Sequence, residues 1–142
     1  MFVRGRLSKG VPTNVAFEKG GRSMEIATQL SEQIARYLDL ATAEAKLTAV
    51  NMANVDTPGY RAVGMDFEAE MHEALVDVYP GHAPRKVRVT EVDGLIARPD
   101  GNNVSVDRES LNLAEAQLKF RTGVALLRQE YQREMDAIHA DK

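Results

Sequence analysis

Residues 51–60 read Asn51-Met52-Ala53-Asn54-Val55-Asp56-Thr57-Pro58-Gly59-Tyr60, and here a long alanine-rich helical pattern stops. The residue types account for the stop. Asn54 tolerates the left-handed conformation in which many helices end. Asp56 can fold its carboxylate back onto backbone amides as an Asx turn. Pro58 pre-sets φ for the second position of a turn, and Gly59 accepts the positive φ of a type II turn's third position. Thr57-Pro58-Gly59-Tyr60 is therefore predicted to redirect the chain. A turn needs neither Asn51 nor Tyr60, which leaves these two side chains for another task.

Upstream, Ile26, Leu30, Ile34, Tyr37, Ala41 and Ala45 recur at spacings of three or four, with Glu25, Glu32, Arg36, Glu44 and Lys46 mostly off that stripe. The pattern predicts a helix over 24–53 capped by Ser23. Downstream, Phe67, Met71, Leu75 and Val78 predict a short amphipathic helix with Asp66 as N-cap, closed by Pro80-Gly81-His82-Ala83-Pro84. Alternation over 86–92 predicts a strand, Asp93-Gly94 a hairpin turn, and Leu95-Ile96-Ala97 a second short strand. Arg98 to Asn103 is a loop, and Asp107 is the expected N-cap of the last helix. That helix has the strongest periodicity in the chain. Leu113, Gln117, Phe120, Val124, Leu127, Tyr131 and Ile138 lie at or near heptad spacing, and Leu118, Ala125 and Met135 widen the stripe.

The expected fold class is mainly α: two long terminal amphipathic helices pairing as a coiled-coil-like bundle around a small irregular insert containing β structure. The expected division is a flexible extension at 1–23, a first helix and turn motif at 24–60, an insert with a short helix and a β-hairpin at 61–106, and a last helix at 107–142.

Composition supports this. The 142 residues are at most one domain's worth, without Trp and with 6% aromatics, and the 44% hydrophobic share owes much to alanine. The absence of cysteine excludes disulfides, thiolate nucleophiles and cysteine-ligated metals. No apolar run approaches the roughly 18 residues of a membrane span. The basic N-terminus lacks the apolar core of a cleaved secretory signal, so export would need another route. A net charge of −3 argues against nucleic acid as a partner. Residues 1–23 hold five basic residues and one acid, leaving 13 of the 18 basic and 20 of the 21 acidic residues for the rest. Such an arm could touch phosphate. Lacking apolar periodicity, it reads better as an unstructured tail or as the product of an upstream start codon, with Met24 the natural beginning.

No constellation of catalytic, cofactor-binding or metal-ligating residues emerges. His72, His82 and His139 share no ligand spacing, and Glu68 with His72 supplies only two candidate ligands. Serines lack nucleophile context, and Asp100-Gly101-Asn102-Asn103 lacks the alternating acids of a calcium loop. Glu68 and Glu70 could pair as glycosidase acids only across a cleft, which nothing predicts. Phosphate-cradling glycine loops are absent. The expectation is no enzyme, no cofactor and no small-molecule substrate. The two long stripes must bury themselves against each other or against another chain. Periodicity cannot separate these outcomes, but so few large residues lie outside the helices that assembly is the favoured expectation.

The segment from Asn51 to Ala62 resembles the N-terminal signature of the bacterial flagellar rod and hook proteins, an alanine-rich helix leading into Asn-x-Ala-Asn-x-x-Thr-x-Gly-aromatic. Asp56-Thr57-Pro58-Gly59-Tyr60-Arg61-Ala62 followed by Asp66-Phe67 is similar, more narrowly, to the proximal rod members of that family. Asp100-Gly101-Asn102-Asn103-Val104, Asp107-Arg108-Glu109, Leu118-Lys119-Phe120 and Leu126-Leu127 fit the same group, and the Ser-Arg-Ala-Tyr-Glu-Ala-Asn run of a paralogous rod protein is missing. The likeness spans about residues 24–138, with Met52 where isoleucine or leucine is common and with 1–23 as a departure. It implies a structural subunit of the proximal rod, exported without signal cleavage through the flagellar type III apparatus and placed in the periplasm-spanning basal body. Implied partners are other rod subunits, the rod–ring adaptor, the membrane ring and further copies of itself, and the implied task is torque transmission. Asn51, Ala53, Asn54, Asp56, Thr57, Pro58, Gly59 and Tyr60 would form the assembly and turn motif. Ile26, Leu30, Ile34, Tyr37, Leu113, Phe120, Val124, Leu127, Tyr131 and Ile138 would form the helix-packing stripes. Rival readings are a soluble helical adaptor that zips onto a partner helix and a peptidoglycan-active enzyme using Glu68, Glu70 and Glu73.

Overall fold

The computed structural model describes residues 18–76 and 86–140, with side chains from Gln29 onward. The elements in order are α1 (Glu18–Ala53), β1 (Val63–Gly64), α2 (Phe67–Val76), β2 (Thr90–Glu91) and α3 (Val106–His139). The chain is mainly helical, and α1 packs antiparallel on α3: Leu38 lies against Gly123, Glu44 meets Lys119, and Asn51 meets Glu109. The two long helices thus pair within one chain.

Helix α1 ends at Ala53, where the turn chemistry places its stop, but starts at Glu18 and so contains Ser23 instead of being capped by it. Gly20 and Gly21 each cost a helix about 1 kcal/mol against alanine. That is too little to halt a helix that gains a bond with every residue added. The expected terminator at Pro80–Pro84, Val78 and His82 lie outside the described residues, as do residues 1–17. Helix α2 is capped as predicted, with the Ala69 N–H donating to Asp66 Oδ1 at 3.0 Å. The N-cap of α3 is Ser105, in extended conformation with no side-chain bond, and the expected cap Asp107 sits in the first turn. The entry is fixed upstream, where the Val104 N–H donates to Asn102 Oδ1 at 2.8 Å. There Asp107 still meets the positive end of the helix dipole.

The predicted hairpin between 86–92 and 95–97 does not form. Thr90 and Glu91 pair instead with Gly64 and Val63 in a two-stranded antiparallel ribbon. Gly94 makes its turn at φ 75°, but Asn102 and Asn103 then hold the following loop against residues 54–62. The segment 95–97 must cross toward that anchor and cannot fold back on β2.

The helix seam is built from small and polar groups. Ile34, Ala41 and Thr48 are buried at heptad spacing on α1, and Glu109, Ala116, Gly123 and Glu130 at heptad spacing on α3. The predicted α3 stripe runs beside this seam. Leu113, Val124 and Leu127 are half-buried, but Phe120, Tyr131 and Ile138 are 44%, 55% and 65% exposed. On α1, Ile34 is buried and Leu30 and Tyr37 half-buried, while Ile26 falls where side chains are not described. On α3 the buried face is offset from the apolar stripe, because closest approach is set by Ala116 and Gly123, not by the largest residues. A Cβ at position 123 would stand 2.6 Å from Leu38 Cδ2 and 3.0 Å from the Tyr37 ring. Gly123→Val should therefore lower stability by about 2–3 kcal/mol through overpacking, read as a lowered urea midpoint. Near the same level Phe67 ties α2 to both long helices. Its ring meets Tyr37 edge-on at 5.5 Å, and Lys119 Nζ lies 4.3 Å from its centroid while also pairing with Glu44.

Candidate functional site

The motif that stops α1 and the Asp100–Val104 loop that leads into α3 come together at the closed end of the hairpin. Their side-chain amides do the joining. Asn51, 2% exposed, donates through Nδ2 to the Val63 carbonyl at 2.8 Å and to Glu109 Oε2 at 3.0 Å. Its Oδ1 accepts from the Val63 N–H at 3.0 Å and the Tyr60 hydroxyl at 3.2 Å. All four valences of the amide are thus filled. The two residues that the turn itself did not require bond to each other.

Asn102 is fully buried. Its Nδ2 donates to the carbonyls of Asn54 and Thr57 at 2.9 and 2.7 Å, in the turn just beyond the end of α1. Asn103 Oδ1 accepts from the Ala62 N–H at 2.6 Å, and its Nδ2 is buried without a partner. Asn54 stays local, donating to the Val50 carbonyl and accepting from Thr57 Oγ1. Gly59, at φ 72°, is the positive-φ residue of a turn closed by the Tyr60 N–H to the Thr57 carbonyl at 3.2 Å. The Gly59 N–H in turn donates to the Asp100 carbonyl at 2.9 Å. Gly101, at φ 85°, brings its backbone so close that an added Cβ would stand 3.3 Å from Gly59 Cα. Arg98 donates to the Val55 carbonyl from the same loop.

Of the predicted motif residues, the structure brings Asn51, Asn54, Thr57, Gly59 and Tyr60 into this junction. Ala53, Asp56 and Pro58 stay at its surface. The Asx turn expected of Asp56 is not made: the residue two places on is Pro58, which has no N–H, and the Gly59 N–H donates to the Asp100 carbonyl instead. Asn102, Asn103 and Glu109 are the members a turn-by-turn reading assigned to a plain loop and a helix start. Their signal lay in the resemblance carried by Asp100–Val104 and Asp107–Glu109, not in the local turn chemistry.

A half-open groove of about 340 Å³ lies between α1, α3 and the ribbon. Its carboxylates are all engaged: Glu44 with Lys119, Glu91 with Arg61, Asp66 in its cap, and Glu109 with Asn51. The carboxylates weighed as wall-hydrolase acids are arranged differently again. Glu70 is buried and accepts from both the backbone N–H and Nε of Arg88, and Glu73 also binds that guanidinium. The Glu70 hydrogen bond first, then Glu73, hold the Arg88 pKa above its usual value. Among the described residues no three potential metal ligands converge, and no helix is long and apolar enough to cross a membrane.

Comparison with known proteins decides the family. No protein-family model matches the chain. The flagellar basal body rod protein FlgB of Salmonella typhimurium is 32% identical over 108 residues, covering 63% of this chain and 78% of its own. The chain belongs to the FlgB family. The FlgB of Borrelia hermsii is 30% identical over 104 residues, covering 60% of this chain and 77% of its own. That of Escherichia coli is 29% identical over 108 residues. These FlgB relatives are named as basal body rod proteins, in accord with the resemblance read from the two asparagine-bearing motifs.

Proposed function

We propose that this chain is a structural subunit of the proximal flagellar rod, packing through α1 and α3 against neighbouring subunits to form part of the shaft that transmits torque. The observation that carries this is the distribution of apolar bulk on α3. Leu111, Leu118, Tyr131, Met135 and Ile138 are 53–65% exposed, while the intramolecular seam holds Ala116, Gly123 and two glutamates. Large exposed apolar rows mark surfaces meant for other protein. The hairpin is thus locked at one end by polar bonds and left unfinished along its length. Other rod subunits, the rod–ring adaptor and the membrane ring are the fitting neighbours, reached by type III export without signal cleavage. We assign it no catalytic role.

The deciding experiment is fractionation. A tagged chain should co-purify with basal bodies and be depleted from the soluble fraction of flagellated cells. Recovery only as a soluble cytoplasmic dimer would favour the adaptor reading instead.

A further inference from the structure

The outer faces of the two long helices carry charges that fit each other in a second copy. On α1, Glu32, Asp39 and Lys46 are exposed at heptad spacing. Each stands two residues before a seam residue (Ile34, Ala41, Thr48), which puts it about 200° around the helix from the seam. On α3, Arg121 and Arg128 are exposed and stand two residues before Gly123 and Glu130, so they too point away from the partner helix. Among the described residues none of these five side chains makes an ion pair. They cannot meet within one chain, since the two faces lie on opposite sides of the hairpin.

We propose that the outer face of α3 docks on the outer face of α1 in a second copy of this chain, set side by side at the same axial level. The seam supplies the register. It places Leu38 level with Gly123, Glu44 with Lys119 and Asn51 with Glu109. Continued along the helices, that register sets Asp39 level with Arg121 and Glu32 with Arg128, while Lys46 faces the small Ala114. A sideways repeat with no axial shift therefore matches both acids of the α1 face with both arginines of the α3 face. Val50 and Leu111, 47% and 61% exposed, fall opposite each other, as do half-buried Ala43 and Leu118, a small residue facing a large one. A two-fold arrangement of α3 faces would set Arg121 and Arg128 of one copy against those of the other. The pattern thus selects a head-to-tail contact, which propagates instead of closing as a dimer. Exposed ion pairs add little affinity each, so their part is to fix register and reject wrong pairings.

This inference rests on the rod reading for its occupant, but its test does not. The chain has no cysteine, so single thiols can be placed cleanly. Under oxidation, purified Val50→Cys chain should cross-link to Leu111→Cys chain and neither to itself, and the double variant should give a ladder of species. Arg121→Glu with Arg128→Glu on the Leu111→Cys chain should cut the yield by on the order of tenfold. Glu32→Arg with Asp39→Arg on the Val50→Cys chain should restore it. Homotypic cross-links, no cross-links at micromolar to millimolar concentration, or no effect of charge reversal would overturn this interface. The rod reading would then still stand or fall on basal-body fractionation alone.

Discussion

Asn51→Ala should cost the folded chain about 3–5 kcal/mol, one of the largest single effects available in this structure. Four bonds are lost at once from a side chain 2% exposed. The larger part comes from Glu109, itself 2% exposed, whose carboxylate loses the Asn51 amide donor. A buried charge without its partner is costlier than the pair was valuable. Glu109→Gln in the Asn51→Ala background should therefore recover part of the loss, a coupling that a double-mutant cycle in urea denaturation would measure. Asn51→Asp should be no milder, since a second carboxylate would face Glu109 and could not donate to the Val63 carbonyl. A loss below about 1 kcal/mol would mean that water replaces the amide and that the junction is not held by it.

Asn102→Ala should cost about 2–4 kcal/mol. The side chain is fully buried and serves three backbone groups: the carbonyls of Asn54 and Thr57 and the N–H of Val104. The two carbonyls keep a turn bond each from the Thr57 and Tyr60 N–H groups, so the Val104 N–H bears most of the cost. Amide exchange should accelerate at Val104 and through 57–60 before it does so in the middle of α1. Asn103 is the internal control. It makes one side-chain bond, to the Ala62 N–H, and leaves Nδ2 unpaired, so its alanine variant should lose clearly less. Equal losses at the two positions would show that volume, and not the bonds to the turn after α1, is what matters.

Much of this was legible in the sequence because it is local. The stop at Ala53, the turn with Gly59 at φ 72°, and the Asp66 cap each depend on a few neighbouring residues. Helical period was also legible. Which face of α3 is buried was not, because its seam of Ala116 and Gly123 is chosen by how close two backbones can come. Strand pairing failed for a related reason. Alternation over 86–92 says nothing about whether the partner lies five residues ahead or near residue 63, and the choice was made by Asn102 and Asn103 pulling the next loop elsewhere. At the junction, the unexplained asparagine and tyrosine were visible as leftovers. Their meeting, and Glu109 beneath them, needed contacts far apart in sequence.

The Asn51 amide also has a bearing on how the chain avoids wrong pairing. A ribbon only two residues per strand wide has an open flank, and an open flank of N–H and C=O groups is a template onto which any extended segment can zip. In this chain the flank of β1 at Val63 is already filled on both its donor and its acceptor by a side chain. The opposite strand is as short as a strand can be and carries Glu91, paired with Arg61. A polypeptide passing in extended form meets no vacant strand position at Val63, and strand exchange is blocked there.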